Sequence, residues 1–346
     1  MKAAPHNANR TVAYWLIFCC AMIFAMVVIG GVTRLTESGL SITEWKPVTG
    51  AIPPLSEGAW QDAFAKYQQI PEYRHRNMGM TLPEFKNIFW WEFVHRLWGR
   101  LIGLVYAVPL VWFVLRGQVR GPLAWKLAGI FLLGGLQGVL GWYMVQSGLV
   151  DRVDVSPYRL TAHLGLALLI YAASLWTALD LLRPGRKEAT PLARPALAFC
   201  GLAFVTMLSG GFVAGLDAGM IYNTFPLMDG RLVPAGYLDE TPWWVNLFEN
   251  VAAVQFNHRL LAMTTLACAI ALAFAGRRAA PRVRGLAAAT GGMAALQAAL
   301  GIATLLLVVP IPLAAAHQAG AVLLLTLALM LAHAAHKKSM PPPAAA

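Results

Sequence analysis

Eight runs of about 20 apolar residues, near 11–33, 96–115, 124–146, 158–182, 194–215, 251–275, 284–308 and 313–335, constrain this chain more than any other feature. Coiled as helices, runs of that length cross the hydrocarbon core of a bilayer. Lipid offers no partner for backbone N–H and C=O groups, so each run must form a helix that satisfies them internally. Only 12% of the 346 residues are charged, against about a quarter in soluble domains. The reading is an all-α integral membrane protein with eight transmembrane helices. Gly121-Pro122, Pro184-Gly185 and Pro281 punctuate the runs as turns do.

The net charge of +11 raises nucleic acid as a partner. The basic residues, however, sit mostly in short connections between apolar runs, which is how topology is encoded, so no nucleic-acid binding is expected. Arg116, Arg120 and Lys126 follow span two, Arg183, Arg186, Lys187 and Arg194 follow span four, and Arg277, Arg278, Arg282 and Arg284 follow span six. Lys337 and Lys338 lie near the C-terminus, whereas the connection after span five holds Asp217, Asp229, Asp239, Glu240 and Glu249 against Arg231. The connection after span three is mixed, with Asp151 and Asp154 beside Arg152 and Arg159. The positive-inside rule then puts both termini in the cytoplasm. The first run is too long for a signal-peptide core, so it is read as an uncleaved span. Cys19, Cys20, Cys200 and Cys268 all fall in apolar runs, which suggests no disulfide framework.

The first outward loop, 34–91, is long. Its apolar residues at 60, 63, 64 and 67 have helical spacing, which predicts a short amphipathic helix on the membrane surface. His75, between Arg74 and Arg76, reads as solvated loop, and His6, His333 and His336 as solvated chain ends.

The chain contains itself twice. Gly30-Gly31 returns as Gly210-Gly211, Phe93-Val94-His95-Arg96 as Phe256-Asn257-His258-Arg259, Leu136-Gln137 as Leu296-Gln297, and His163 as His317. Four spans is an even number, so both halves keep one orientation. The expectation is two tandem four-helix bundles, 1–190 and 191–346, related by a pseudo-two-fold axis along the membrane normal.

His95 and His258 open spans two and six, and His163 and His317 lie in the first turns of spans four and eight. At 1.5 Å per residue all four imidazoles come within about 10 Å of the outer edge. An intramembrane histidine is either a helix–helix hydrogen-bonding residue or a ligand. Four of them, paired by repeat and matched in depth, favour two axial ligands for a haem in each bundle. Zinc would need further carboxylates or thiolates, and only Glu92 is near. Gly99, Gly103, Gly165 and Gly320 would let a flat macrocycle approach, or serve ordinary helix packing. Arg96 and Arg259, at the water edge, suit haem propionates or simple snorkelling. Glu92 stands one turn before His95, and Gln255 takes its place in the second half. One half therefore carries an ionisable group that the other lacks. Glu92 reads as an acid–base group or as a structural partner of Arg96 or Arg100.

At these residues the chain resembles the haem A synthase family over nearly its whole length. The resemblance runs through Thr33-Arg34-Leu35-Thr36-Glu37-Ser38-Gly39-Leu40-Ser41, Glu92-Phe93-Val94-His95-Arg96-Leu97-Trp98-Gly99-Arg100 and Gly141-Trp142-Tyr143-Met144-Val145. It continues in Gly215-Leu216-Asp217-Ala218-Gly219, Tyr222-Asn223, Phe248-Glu249-Asn250, Gln255-Phe256-Asn257-His258-Arg259 and Pro312-Leu313-Ala314-Ala315-Ala316-His317-Gln318. It implies oxidation of a methyl group of haem O to the formyl group of haem A, needed by certain terminal oxidases. It implies haem b as cofactor on His258 and His317, haem O as substrate on His95 and His163, and Glu92 as catalytic carboxylate. A haem O synthase as supplier, an electron-transfer partner and membrane lipid are its implied surroundings. The long first loop resembles the proteobacterial and mitochondrial branch. The outer-loop cysteine pair of some members is missing here. With no mitochondrial-type presequence, the expected location is a bacterial inner membrane. Two rivals remain at this point: a dihaem cytochrome b that only passes electrons, and a transporter built on the four-span repeat, which would bind at mid-membrane.

Overall fold

The computed structural model describes residues 6–150, 152–184 and 189–336. Asp151, Gly185, Arg186, Lys187, Lys337, Lys338 and the side chain of His6, used above, lie outside the described residues. Among the described residues ten α-helices run in order: α1 (His6–Leu35), α2 (Glu57–Tyr67), α3 (Pro71–His75), α4 (Leu82–Leu115), α5 (Gly121–Val150), α6 (Pro157–Leu182), α7 (Ala193–Gly215), α8 (Val251–Ala275), α9 (Pro281–Leu306) and α10 (Ile311–His336). Eight of them, all but α2 and α3, are long and apolar enough to cross a membrane.

Local chemistry sets the helix ends. Proline occupies the first turn of α3, α4, α6 and α9, where its missing N–H costs nothing. Asn250 caps α8 by accepting from the Ala253 N–H at 3.1 Å, and Ser56 caps α2 in the same way from Ala59.

One boundary differs greatly from the hydropathy pattern. The second span was expected from 96, yet α4 begins at Leu82. Glu84, Lys86 and Asn87 hide this extension from any hydropathy window, but they mark only where the helix leaves lipid. The Glu84 carboxylate accepts from the Thr81 N–H and hydroxyl, both at 2.7 Å, and starts the helix. Phe85, Phe89 and Phe93 then recur every four residues on one buried face. The amphipathic helix foreseen in the first loop is α2, but its apolar face does not lie on lipid. Trp60 and Tyr67 pack with the α4 phenylalanines into an outer hydrophobic cluster, with Trp60 edge-on to Phe89 at 4.8 Å. Burying two large aromatics stabilises this cap by several kcal/mol, at about 2–3 kcal/mol per side chain.

Within the membrane α1 packs on α4 and α6, and α5 on α4 and α6, closing one ring. In the second, α7 packs on α8 and α10, and α9 on α8 and α10. Contacts of α6 with α7 and of α10 with α1 and α6 join them. Between the two rings Arg34 reaches across to Asp217 at 2.8 Å and to the Ala214 carbonyl at 3.1 Å.

His333 corrects the sequence reading. It is 1% exposed rather than solvated. Its Nε2 lies 3.1 Å from Asp180 of α6, and its ring meets Trp176 edge-on. The final turn of α10 faces α6 rather than water. His336 is half-buried, with Nδ1 2.8 Å from the Ala332 carbonyl, whereas His75 is exposed as expected.

Candidate functional site

Each of the four outer histidines faces a glycine on a neighbouring helix. A β-carbon on Gly30 of α1 would stand 3.1 Å from the His95 ring, and one on Gly141 of α5 would stand 2.9 Å from the His163 ring. Gly210 of α7 meets His258 at 3.1 Å and Gly301 of α9 meets His317 at 2.8 Å in the same way. The repeat is thus spatial as well as sequential. These are not the glycines singled out from sequence. Gly99 faces Met26, Gly165 faces Leu208, Gly320 faces Gln297, and Gly103 faces open space. Proximity along the chain suggested them, but the ring of an inward-facing histidine meets the adjacent helix.

His95 on α4 and His163 on α6 occupy opposite corners of the first ring, and His258 on α8 and His317 on α10 opposite corners of the second. Within each pair the imidazoles are near enough to feel each other's charge. All four are crowded by protein yet keep some accessible surface.

The residues around the rings orient them. Gln137 of α5 donates to the His163 carbonyl at 2.9 Å, and Gln297 of α9 donates to the His317 carbonyl at 2.7 Å. The Gln297 amide nitrogen also lies 3.1 Å from His317 Nδ1, and Ser209 Oγ lies 2.8 Å from His258 Nδ1. The Ser209 hydroxyl can accept from His258 Nδ1–H, the contact that leaves Nε2 free to ligate, whereas the Gln297 amide can only donate to His317 Nδ1 and fixes that ring in place. His163 Nδ1 is buried without a partner. Gln137, Gln297 and Ser209 were not identified as functional from sequence, although the Leu-Gln repeat was the signal for the two glutamines. The set fits haem: imidazoles on opposite helices, glycine walls where a β-carbon would crowd the rings, and an orphaned ring nitrogen. Among the described residues, no three His, Cys, Asp or Glu side chains converge as a site for a bare metal ion.

Above the histidines the halves diverge. Glu92 is 2% exposed. Its Oε2 accepts from Ser41 Oγ at 2.7 Å and the Ile42 N–H at 2.6 Å, and its Oε1 pairs with Arg96 at 2.5 Å. Gln255 is equally buried, but its Nε2 donates to the Ala218 and Ile221 carbonyls while Oε1 accepts from Arg259 at 2.9 Å. One loop presents donors to a carboxylate, whereas its counterpart presents acceptors to an amide.

Arg96 also donates to the Ile42 carbonyl at 2.7 Å and the Glu44 carbonyl at 3.0 Å. Arg259 donates to the Tyr222 carbonyl at 2.6 Å and the Thr224 carbonyl at 2.8 Å. Both guanidiniums therefore clamp these loops onto the helix ends. Arg100 does the same to the Pro47 and Lys46 carbonyls, both at 2.9 Å, instead of pairing with Glu92. A separate apolar groove of about 400 Å³ lies between α6 and α7, lined by Ala162, Gly165, Leu208 and Phe212 among others, and includes none of the four histidines.

Eight membrane-length helices, with histidines on opposite helices of two packed groups, make this a multi-pass membrane protein. Residues 13–329 match the family model described as cytochrome oxidase assembly protein, COX15-CtaA. A heme A synthase of Nitrosospira multiformis is 55% identical over 94% of this chain and 93% of its own length. One from Rhodospirillum centenum is 56% identical over 94% and 88%, and one from Nitrosomonas eutropha 52% identical over 93% and 92%. The chain belongs to this cytochrome oxidase assembly family, that of the haem A synthases.

Proposed function

We propose that this protein oxidises a methyl group of haem O to the formyl group of haem A, supplying haem A for terminal oxidase assembly. The observation that carries this reading is the asymmetry between buried Glu92 and buried Gln255 in otherwise matching sites. His95 and His163 hold the substrate haem O in the half 1–190. His258 and His317 hold haem b in the half 191–346, and the halves form tandem four-helix bundles about an axis along the membrane normal. When bound, haem b supplies one-electron chemistry.

The chain's own residues do the rest. Ser209 and Gln297 hold the haem b ligands in one orientation, and no acid or base is needed there. Glu92, one turn from His95, takes and returns protons at its carboxylate oxygens. Ser41 and Arg96 fix those oxygens in place, and the α2 cap shields the site from bulk water. Such a group contributes about 10²–10⁴-fold. Electrons leave through a membrane or soluble partner, and haem O arrives from a haem O synthase through the surrounding lipid. The site faces outward from a bacterial inner membrane, with both termini cytoplasmic. Reporters at Gly117 and Gly236 test this, the first scoring cytoplasmic and the second external.

Extraction of pigments from the purified protein tests the function. Haem b together with haem O, its hydroxylated form or haem A is expected. Two unmodified haems b would identify a dihaem electron carrier instead.

A further inference from the structure

α10 carries His317, yet much of what holds it belongs to the other half of the chain. Thr326 Oγ1 lies 2.7 Å from the Tyr171 hydroxyl of α6, and His333 lies 3.1 Å from Asp180 of α6. Toward the His317 end, Gln318 Nε2 donates to the Val27 carbonyl of α1 at 2.9 Å. At 1.5 Å per residue, residues 318, 326 and 333 are spaced by about 12 and 10 Å along the helix. The first half therefore fixes α10 at three heights, and one of the three contacts is made by the residue directly after His317.

Gly31 makes that contact possible. It is buried, and a β-carbon on it would overlap the Gln318 amide. A β-carbon on Gly30, one residue before, would stand 3.1 Å from the His95 ring. Two adjacent glycines of α1 thus meet His95 in one half and the neighbour of His317 in the other. α1 is a firm support for both. Trp15 of α1 donates to the Val105 carbonyl of α4, and Trp98 of α4 donates to the Met22 carbonyl of α1, both at 2.9 Å.

The counterpart seam, α6 against α7, is built differently. A β-carbon on Gly211 would stand 3.0 Å from Thr161 and 3.4 Å from Leu164. In the repeat Leu164 holds the place of Gln318, and a leucine has no donor to offer a carbonyl. An apolar contact is non-directional, whereas a hydrogen bond prescribes a position and an angle. From its own half His317 is held by Gln297, which donates to its carbonyl at 2.7 Å. Gln318 anchors the next residue from the other side.

We propose that Gln318 is a positioning residue for His317, and that through it the geometry of the haem b site is set by α1, the helix that also walls His95. The second half is then not self-sufficient, because the seat of its ligand helix is completed by the first. This rests on the reading of His317 as a haem b ligand and goes beyond it by tying that ligand to the substrate half. Gln318 acts through the backbone of α10.

The test uses the purified full chain carrying haem b alone. It reads the electron paramagnetic resonance g-values of ferric haem b, which report the orientation of the axial imidazoles, and haem b content by pyridine haemochrome. Gln318→Met keeps the bulk and removes the donor. It should shift the g-values and weaken haem b retention by about 10-fold, the low end for losing a group that orients a ligating histidine. Gly31→Ala, a change in the other half, should also shift the g-values, because its methyl displaces the amide. In a Gln318→Ala background, where that space is vacated, Gly31→Ala should add no further shift. Wild-type g-values in both Gln318→Met and Gly31→Ala overturn the proposal. So does a Gly31→Ala shift of equal size with and without the Gln318 side chain. Normal haem b in His317→Ala overturns instead the ligand reading on which the proposal rests.

Discussion

Glu92 and Gln255 occupy the same place in two halves of one chain and make hydrogen bonds of opposite polarity. Around Glu92 the loop offers the Ser41 hydroxyl and the Ile42 N–H. Around Gln255 it offers the Ala218 and Ile221 carbonyls. The arginine one turn on is common to both, paired with an oxygen each time. A duplicated device has thus kept its clamp and reversed its centre. On the proposed function, the scaffold for holding a macrocycle is separable from the group that does proton chemistry. The loops have adapted too, so the two side chains cannot be exchanged without cost.

The comparison breaks most severely at the iron ligands. His258→Ala or His317→Ala should remove haem b from the purified protein, whereas His95→Ala or His163→Ala should leave it and abolish retention of substrate haem. A pyridine haemochrome assay on each variant decides this. Normal haem b in His258→Ala would mean that the halves have been assigned the wrong way round.

Next in size is Glu92→Gln. Loss of a proton-transferring group should slow haem O conversion by about 10²-fold or more, with haem b unchanged, as measured by chromatography of extracted haems. The change is not structurally silent. Both carboxylate oxygens accept hydrogen bonds, so the new NH₂ must face either Arg96 or the Ser41–Ile42 donors. That mismatch costs about 1–3 kcal/mol, which a thermal shift should register. Conversion at wild-type rate would leave Glu92 as a loop anchor only.

Gln297→Ala sharpens the comparison within the second half. It removes the amide beside His317 Nδ1 and should weaken haem b retention by about 10–100-fold, the scale for losing a group that orients a ligating histidine. The matching change Gln137→Ala should leave haem b alone. The smallest effect expected is that of Gln255→Glu. A carboxylate there would face two carbonyls, so stability should fall by about 1–3 kcal/mol. No second centre of haem O conversion should appear, because the substrate is held in the other half.

Much of this was legible in the chain itself. The eight spans, the repeat, the four histidines at one depth and the substitution of Gln255 for Glu92 are local facts: run length, spacing and register along one strand of sequence. Hydropathy located most span ends within a few residues because the bilayer sets them. It misplaced the start of α4, because helix continuity depends on backbone hydrogen bonds and the Glu84 cap rather than on lipid. What no local pattern carried was which surfaces meet. That α2 covers α4, that Gly30, Gly141, Gly210 and Gly301 face the imidazoles, that His333 is buried on Asp180, and that Gln318 reaches Val27 all depend on segments far apart in sequence. A glycine or a glutamate reads the same in sequence whether it faces water, lipid or a neighbouring helix. Its role was decided only when tertiary packing excluded water around it and fixed its partners.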